Sequence, residues 1–180
     1  MKELNLENIN EKFKTCFTSH FTGMMLECCV VCLSSQNHKT GVFLKYEPTQ
    51  SNIVEQDYMI SWQLAFTNVL QNTHTDVNRT TDYGAMCLSL LLADTLLPEK
   101  GVWQTSRSGQ GVDFWLINPL TLQSILRIEI SGIRKQATTN TMSARAKKKM
   151  IQTDQSDNSA ATAYVSIIEF SQPSALFLQK

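Results

Sequence analysis

The sequence lacks a long hydrophobic run and a leading apolar segment. Its longest apolar stretch, Ala85 to Leu97, is too short to span a bilayer and contains Asp94. Residues 1–14 mix Glu and Lys and lack the apolar segment of a secretory signal. These absences predict a cytoplasmic protein without a membrane partner.

Neither sign of charge predominates, because 16 Lys and Arg residues balance 16 Asp and Glu residues. A free-standing protein that binds nucleic acid without specificity is usually basic overall, so this balance argues against that class. The balance does not exclude a local basic patch.

The cysteines lack the pattern of a disulfide-bonded secreted protein. There are five of them, an odd number: Cys16, Cys28, Cys29, Cys32 and Cys87. Three of these, Cys28, Cys29 and Cys32, stand in one apolar run. Cys29 and Cys32 form a lone CxxC, whereas a structural zinc site takes four ligands, usually as two such pairs. The pattern therefore favours buried cysteines on a strand.

Motifs for nucleophilic catalysis and nucleotide binding are also missing. His20, His38 and His74 stand in separate segments, and no GxSxG elbow is present. The turn SGQG, residues 108–111, lacks the lysine and the following helix that a phosphate-binding loop needs. The sequence therefore predicts neither activity.

What is present is a globular composition, with 42% hydrophobic and 18% charged residues in a chain of 180. This length predicts one domain, residues 1–180, of the α/β class, with a central mixed sheet flanked by helices. An N-terminal extension, residues 1–81, is predicted as a helix, a hairpin, a loop and a helix: 3–21, 24–33 with 41–47, 48–56 and 57–70.

Residues 82–171 are predicted to form a core of helix, three strands, helix and strand. Thr81 or Asp82 is expected to cap the first helix, and Ser143 the second. The predicted elements are 83–97, 101–107, 112–117, 124–133, 143–152 and 163–171, followed by a tail.

The second and third strands of this core carry an unusual set of polar residues. Alternation places Leu126, Ile128 and Ile130 on one face of the third strand. The opposite face then holds three polar residues within a strand that is otherwise buried: Arg127, Glu129 and Ser131. Buried charge is costly unless it is paired or bound to metal, so this face requires a partner.

Asp113 on the second strand is the first candidate partner of Glu129. Adjacent antiparallel strands would bring both carboxylates to one edge of the sheet, as a hard oxygen site that suits Mg²⁺. Such an ion would activate water for attack on a phosphodiester. A structural network with Arg127 on a half-solvated sheet face is the alternative.

This order of elements, with Asp113 and Glu129 on successive strands, resembles the PD-(D/E)XK nuclease superfamily. That superfamily includes restriction-type endonucleases and nucleases of DNA repair and phage defence. The resemblance covers residues 82–171 and implies a restriction-endonuclease-like αβββαβ core and hydrolysis of DNA. It also implies that Asp113 and Glu129 bind Mg²⁺, with Asp82 as the closest match to an acidic residue of the first core helix.

The sequence departs from the motif at Ser131, where the resemblance implies a lysine that orients or activates the attacking water. Some members draw that charge from the next helix, and here Lys148 or Lys149 would supply it. Arg127, beside Glu129, is a second option.

A basic segment lies close to this motif. Residues 134–149 hold six positive charges and no acidic residue. A solvated helix face and contact with nucleic-acid phosphates are equally good interpretations of such a segment. Under the second interpretation the DNA-binding residues are Arg134, Lys135, Arg145 and Lys147.

Three functions remain open from the sequence. The first is a Mg²⁺-dependent nuclease that hydrolyses DNA. The second is a catalytically inactive nuclease-fold subunit that binds nucleic acid or a protein partner. In that case the hairpin within residues 24–47 would pair edge-to-edge with the partner or with a second copy. The third is an effector or immunity-type protein that does not act on nucleic acid.

Overall fold

The computed structural model describes residues 1–48 and 57–180. This part of the chain is an α/β structure, in which helices cover a mixed sheet of eight strands. The predicted fold class, a central mixed sheet flanked by helices, is therefore confirmed. Most of the predicted loop 48–56 lies outside the described residues.

The strands are β1 (Lys2–Asn5), β2 (Val42–Pro48), β3 (Tyr58–Ser61), β4 (Val102–Thr105), β5 (Phe114–Ile117), β6 (Ser124–Ile133), β7 (Thr162–Glu169) and β8 (Ser174–Gln179). The helices are α1 (Asn8–Lys12), α2 (Ser19–Ser34), α3 (Asn68–Thr73), α4 (Val77–Leu96) and α5 (Met142–Gln152), and a short 3₁₀ turn, Thr153–Ser156, follows the last of them.

The strands follow the order β1-β3-β2-β8-β7-β6-β5-β4 across the sheet. An antiparallel meander forms from β4, β5 and β6, and α5 then crosses over to β7, which lies parallel to β6. Strand β8 returns antiparallel to β7 and pairs in parallel with β2. The N-terminal strands therefore continue the same sheet.

The two faces of β6 explain the two layers of helices. Leu126, Ile128 and Ile130 belong to the main core, to which the buried residues of α2 and α4 also contribute. A second, smaller core includes Met142 and Ala146 of α5, packed against buried residues of β6, β7 and β8. The side chains that alternate with the main core on β6 therefore face the layer that contains α5.

Helix α4 approaches β6 closely because residue 132 is glycine. A Cβ atom at Gly132 would lie 2.4 Å from the backbone oxygen of Thr81, so a larger residue would push the helix away. The helix begins at Val77, where the Asp76 carboxylate caps it by accepting a hydrogen bond from Arg79 N at 3.1 Å. Asp82 therefore lies inside the helix, and the predicted cap at position 81 or 82 was wrong.

The predicted strand 24–33 was wrong, since these residues form the middle of α2. Thr18 caps this helix, and its Oγ1 accepts a hydrogen bond from Phe21 N at 3.3 Å. The run reads as a strand because α2 is buried on several sides and so lacks a polar face. The hairpin proposed for partner pairing is therefore absent, and β2 pairs with β3 and β8 instead.

Other N-terminal boundaries also differ from the prediction. The expected helix 3–21 is divided among β1, α1 and the start of α2, and the expected helix 57–70 contains β3 and the start of α3. The tail after residue 171 contains β8. Short apolar segments have strand or helix periodicity too weak to decide, so the pairing partners determined these elements.

Four of the cysteines, Cys28, Cys29, Cys32 and Cys87, are buried as expected, but they lie on helices α2 and α4 rather than on a strand.

Across residues 1–48 and 57–180, none of the helices combines the length and hydropathy that crossing a bilayer requires.

Candidate functional site

Asp113 and Glu129 meet at the start of β5. Phe114 pairs with Ile128 in antiparallel register, and the Asp113 amide donates to the Ile128 carbonyl at 2.9 Å, which sets Asp113 opposite Glu129. The Asp113 carboxylate also accepts a hydrogen bond from Ile130 N at 2.7 Å. The two residues therefore face each other across β5 and β6, so the structure brings together the residues that the sequence paired.

The electrostatics of this carboxyl pair follow from its burial. Burial and the neighbouring Asp113 raise the pKa of Glu129 to about 7, while the ammonium group of Lys149 acts in the opposite direction. Burial also raises the pKa of Asp113, against the hydrogen bond from Ile130 and the charge of Lys149. Burial therefore favours the protonated form of both carboxyls, and Lys149 favours the charged form.

Helix α5 supplies the cation. Lys149 Nζ lies 2.5 Å from Glu129 Oε1, and Gln152 Nε2 donates to the same oxygen at 2.9 Å. Lys149 also donates to Gln152 Oε1 at 3.1 Å, which holds the two side chains together. Of the two lysines considered as replacements for the motif lysine, Lys149 reaches the pair and Lys148 is exposed.

Helical spacing explains why this lysine is selected. Thr141 Oγ1 caps α5 by accepting a hydrogen bond from Ala144 N at 3.2 Å, so the helix begins two residues before the predicted cap at Ser143. Positions 145, 149 and 152 then share a face, because they are four and three residues apart.

Gly111 brings the end of α5 against the start of β5. Its φ is +68°, and a Cβ atom there would lie 2.1 Å from the backbone oxygen of Gln152. Only glycine tolerates both the conformation and the contact, so this residue holds the Gln152 segment beside Asp113.

Asp82 lies beside the pair on α4. The Gly132 amide donates to its carboxylate, and its charge raises the pKa of Asp113. Burial raises the pKa of Asp82 itself, although Lys149 and Arg145 act to lower it. Asp82 therefore adds a third acidic group near the pair, and Lys149 and Arg145 lie close enough to act on its charge.

The position of the missing motif lysine has its own cationic neighbour. Arg145 Nη1 donates to Ser131 Oγ at 3.3 Å, and its Nη2 donates to Asn140 Oδ1 at 2.8 Å. Arg127, the other predicted cation, instead forms an ion pair with Asp157 at 2.6 Å and donates to the Ala161 carbonyl at 2.7 Å. The suggested network of Arg127 with the carboxyl pair is therefore wrong.

A polar cavity of about 390 Å³ borders the site at Asp82. Three of the predicted nucleic-acid-binding residues line it, namely Arg134, Lys135 and Arg145, together with Asn140. Arg134 also reaches α2, where its Nη1 lies 3.2 Å from Cys32 Sγ. The fourth predicted residue, Lys147, is exposed on α5.

Two residues of this arrangement, Gln152 and Asn140, were not assigned a role from the sequence. Gln152 carries a usable signal, since it follows Lys149 by three residues on one helical face. Asn140 lies in a loop before α5, and its contact with Arg145 depends on the path of that loop. Only the tertiary structure identifies it.

The chain matches no protein-family model, and no similar protein was found among curated proteins or solved structures. Within the part of the chain that the structure describes, no group of three or more His, Cys, Asp or Glu side chains is arranged to hold a metal ion. The carboxyl pair with its lysine therefore defines the candidate site by geometry alone.

Proposed function

We propose that the chain is a Mg²⁺-dependent nuclease that hydrolyses phosphodiester bonds of DNA. The observation that carries the proposal is the facing pair of carboxyls, the half-buried Asp113 and the buried Glu129, with Lys149 Nζ 2.5 Å from Glu129. The order α4, β4, β5, β6, α5, β7 supports it, because it follows the restriction-endonuclease-like core that the sequence resembles.

The donor set fits magnesium. Mg²⁺ takes one or two protein carboxylates and keeps several waters, so Asp113 and Glu129 would suffice to hold it, with Asp82 nearby. Burial, and after it a neighbouring carboxylate, raises the pKa of both ligands, and a bound divalent cation would favour their charged forms. When bound, the ion supplies an activated water and neutralises charge on the phosphate.

Lys149 is the residue that we assign to the role of the absent motif lysine. It comes from α5 rather than from β6, where Ser131 stands. Its ammonium group donates to Glu129 and Gln152, and three donor hydrogens let it also orient a water or contact a phosphate oxygen. Gln152 bonds to both groups and would therefore keep the amine of Lys149 beside the carboxylate of Glu129.

The basic cavity gives the proposal a place for the DNA backbone. Arg134, Lys135 and Arg145 lie within one cavity that Asp82 borders, so a phosphate bound there would lie near the carboxyl pair. Phosphate contacts of this kind position a strand without reading its sequence. Lys147, farther along α5, is proposed to contact the backbone of the same DNA strand.

Cleavage of plasmid and single-stranded DNA with Mg²⁺ or Mn²⁺ tests the proposal, with wild type, Glu129→Gln and Asp113→Asn measured in parallel. Both substitutions preserve side-chain size and remove only the charge. We expect cutting by the wild type alone, and a rise in thermal stability with Mg²⁺ that Asp113→Asn abolishes. Equal cutting by all three proteins would reject the assigned site.

Absence of cutting by any protein would favour the second function, an inactive nuclease-fold subunit. The Ser131 departure from the motif is the feature that favours it. In that case DNA binding would persist without Mg²⁺ and would weaken in Lys135→Ala, because phosphate contacts rather than metal would hold the strand. Absence of DNA binding would leave a protein partner as the ligand to identify.

A further inference from the structure

A separate cavity of about 660 Å³ opens between α2 and the segment that runs from the end of α3 into α4. We call it the thiol cavity, because Cys28 lies in its wall. Its lining residues include none of the carboxyl pair or the basic helix. The titratable and charged side chains that line it besides Cys28 and Tyr83 are His20, Glu27, His74, Asp76 and Arg79.

Three of these side chains form a continuous hydrogen-bonded chain. Glu27 Oε2 lies 2.8 Å from His74 Nε2, and His74 Nδ1 lies 3.4 Å from Cys28 Sγ. A carboxylate oxygen can only accept, so in the neutral imidazole the hydrogen is on Nε2 and Nδ1 presents its lone pair to the thiol. The thiol, the imidazole and the carboxylate therefore stand in the order of a nucleophile, its base and the group that orients the base.

The imidazole is held firmly in this position. Its side chain is 11% exposed, against 42% for Glu27. The His74 backbone amide donates to Gln71 O at 3.2 Å, and its carbonyl accepts from Thr80 Oγ1 at 3.2 Å. The base is thus fixed from both α3 and α4, while Glu27 and Cys28 are neighbours on α2.

Gly23 leaves the cavity open one turn before Glu27. A Cβ atom at this position would meet nothing within 4 Å, although the residue lies inside a helix. Glycine in a helix costs about 1 kcal/mol relative to alanine, and no close packing contact requires it here. The absent side chain leaves this part of the cavity wall open.

We propose that the thiol cavity is a second catalytic site, independent of the proposed nuclease, in which Cys28 attacks the carbonyl carbon of a small activated ester or thioester. His74 Nδ1 accepts the thiol proton as the sulfur–carbon bond forms. The bond to the leaving oxygen or sulfur then breaks, and the leaving group takes the proton from His74. Water hydrolyses the acyl-thiol by the same proton path, which regenerates the thiol and releases the acid.

The buried thiol requires such a base. Burial, followed by the nearby Cys32 and Glu27, raises the pKa of Cys28 to about 12, against the charge of Arg79. The resting group is therefore a protonated thiol, which is a weak nucleophile. Transfer of its proton to His74 during attack makes the reaction possible, so reactivity depends on the imidazole rather than on free thiolate.

Reaction with p-nitrophenyl acetate tests the proposal, with release of p-nitrophenolate and peptide mass mapping as the readouts. We expect Cys28 to be acylated faster than Cys16. The latter is more exposed, and its sulfur accepts a hydrogen bond from Trp103 N instead of contacting a histidine. His74→Gln should slow acylation of Cys28 about a hundredfold, the usual contribution of a general base. Cys16→Ala should leave the rate of Cys28 acylation unchanged.

Two further variants guard against loss of folding as the explanation. Gly23→Leu should slow acylation by filling the entrance while it leaves the three side chains intact. Glu27→Ala removes the oxygen that accepts from Nε2 and should therefore let the imidazole hydrogen move to Nδ1, a change that ¹⁵N NMR of the histidine detects. Acylation of Cys28 no faster than Cys16, or an unchanged rate in His74→Gln, would overturn the proposal.

Discussion

At the scale of single residues, the site depends on which cation reaches the carboxyl pair. Lys148 and Lys149 are adjacent and chemically identical, yet one is exposed and the other lies 2.5 Å from Glu129 Oε1. Ser131 occupies the motif position and accepts a hydrogen bond from Arg145. Under the proposed function, the positive charge therefore comes from α5 rather than from β6.

Substitution of these lysines distinguishes the assigned role from a general effect of charge. We expect Lys149→Ala to lower the rate of DNA cleavage about 100-fold, the usual cost of removing one electrostatic contact in a site. Lys148→Ala removes the same charge from the exposed face and should change the rate less than threefold. Equal losses in initial-rate assays at fixed Mg²⁺ would contradict the assignment.

The raised pKa of Glu129 predicts the pH dependence of stability. Because the folded state holds this proton more strongly, its contribution is complete below about pH 4.5 and is lost as pH rises through about 7. The free energy of unfolding of the wild type should therefore fall between pH 5 and pH 8 relative to that of Glu129→Gln. Urea unfolding of both proteins at pH 5 and pH 8 measures this difference. An equal change in the free energy of unfolding for the two proteins would contradict the prediction.

At the scale of elements, two glycines determine how closely the helices approach the site. Gly132 admits α4, and Gly111 admits the end of α5 next to Asp113. The predicted boundaries of β6 were confirmed, 124–133, because a long alternating run with one apolar face fits a strand alone. The boundaries of α4 were less accurate, since its polar first turn resembles a loop.

Paired glycine substitutions separate backbone strain from close packing. Gly109 and Gly111 both have positive φ, but only Gly111 is crowded by Gln152. We expect Gly109→Ala to lower the free energy of unfolding by about 1 kcal/mol. Gly111→Ala should cost a further 1–3 kcal/mol or so, because the added Cβ forces the backbone to shift. Equal values from urea unfolding would show that the close approach is unimportant.

At the scale of the whole molecule, β8 joins the N-terminal strands to the core. It pairs with β7 on one side and with β2 on the other, and it contributes Ala175, Leu176 and Phe177 to the buried interior. The sequence predicted only a tail here, because the segment is short and follows a proline. Its importance comes from partners that lie far away in the chain.

Truncation after Pro173 should abolish the cooperative fold. Loss of Leu176 and Phe177 alone removes contacts that are worth several kcal/mol each, against a total stability of about 5–15 kcal/mol. Leu120→Ser serves as the control, because Leu120 is 92% exposed and should change stability by less than about 0.5 kcal/mol. A near-UV circular dichroism spectrum that survives truncation would contradict this role.

The sequence by itself determined the α/β class, the order of elements from residue 82 to residue 171 and the polar face of β6. These features depend on local periodicity and on the cost of buried charge, which act over a few neighbouring residues. Asp113 and Glu129 could be paired in advance because antiparallel neighbours place alternate residues opposite each other.

Only the tertiary structure decided the choice of Lys149, the helical state of residues 24–33 and the meeting of Cys28 with His74. Each depends on contacts between segments that are distant in the chain, such as α2 with the end of α3. Burial on several sides erases the periodicity that would reveal α2, and no local pattern reports a contact 46 residues away.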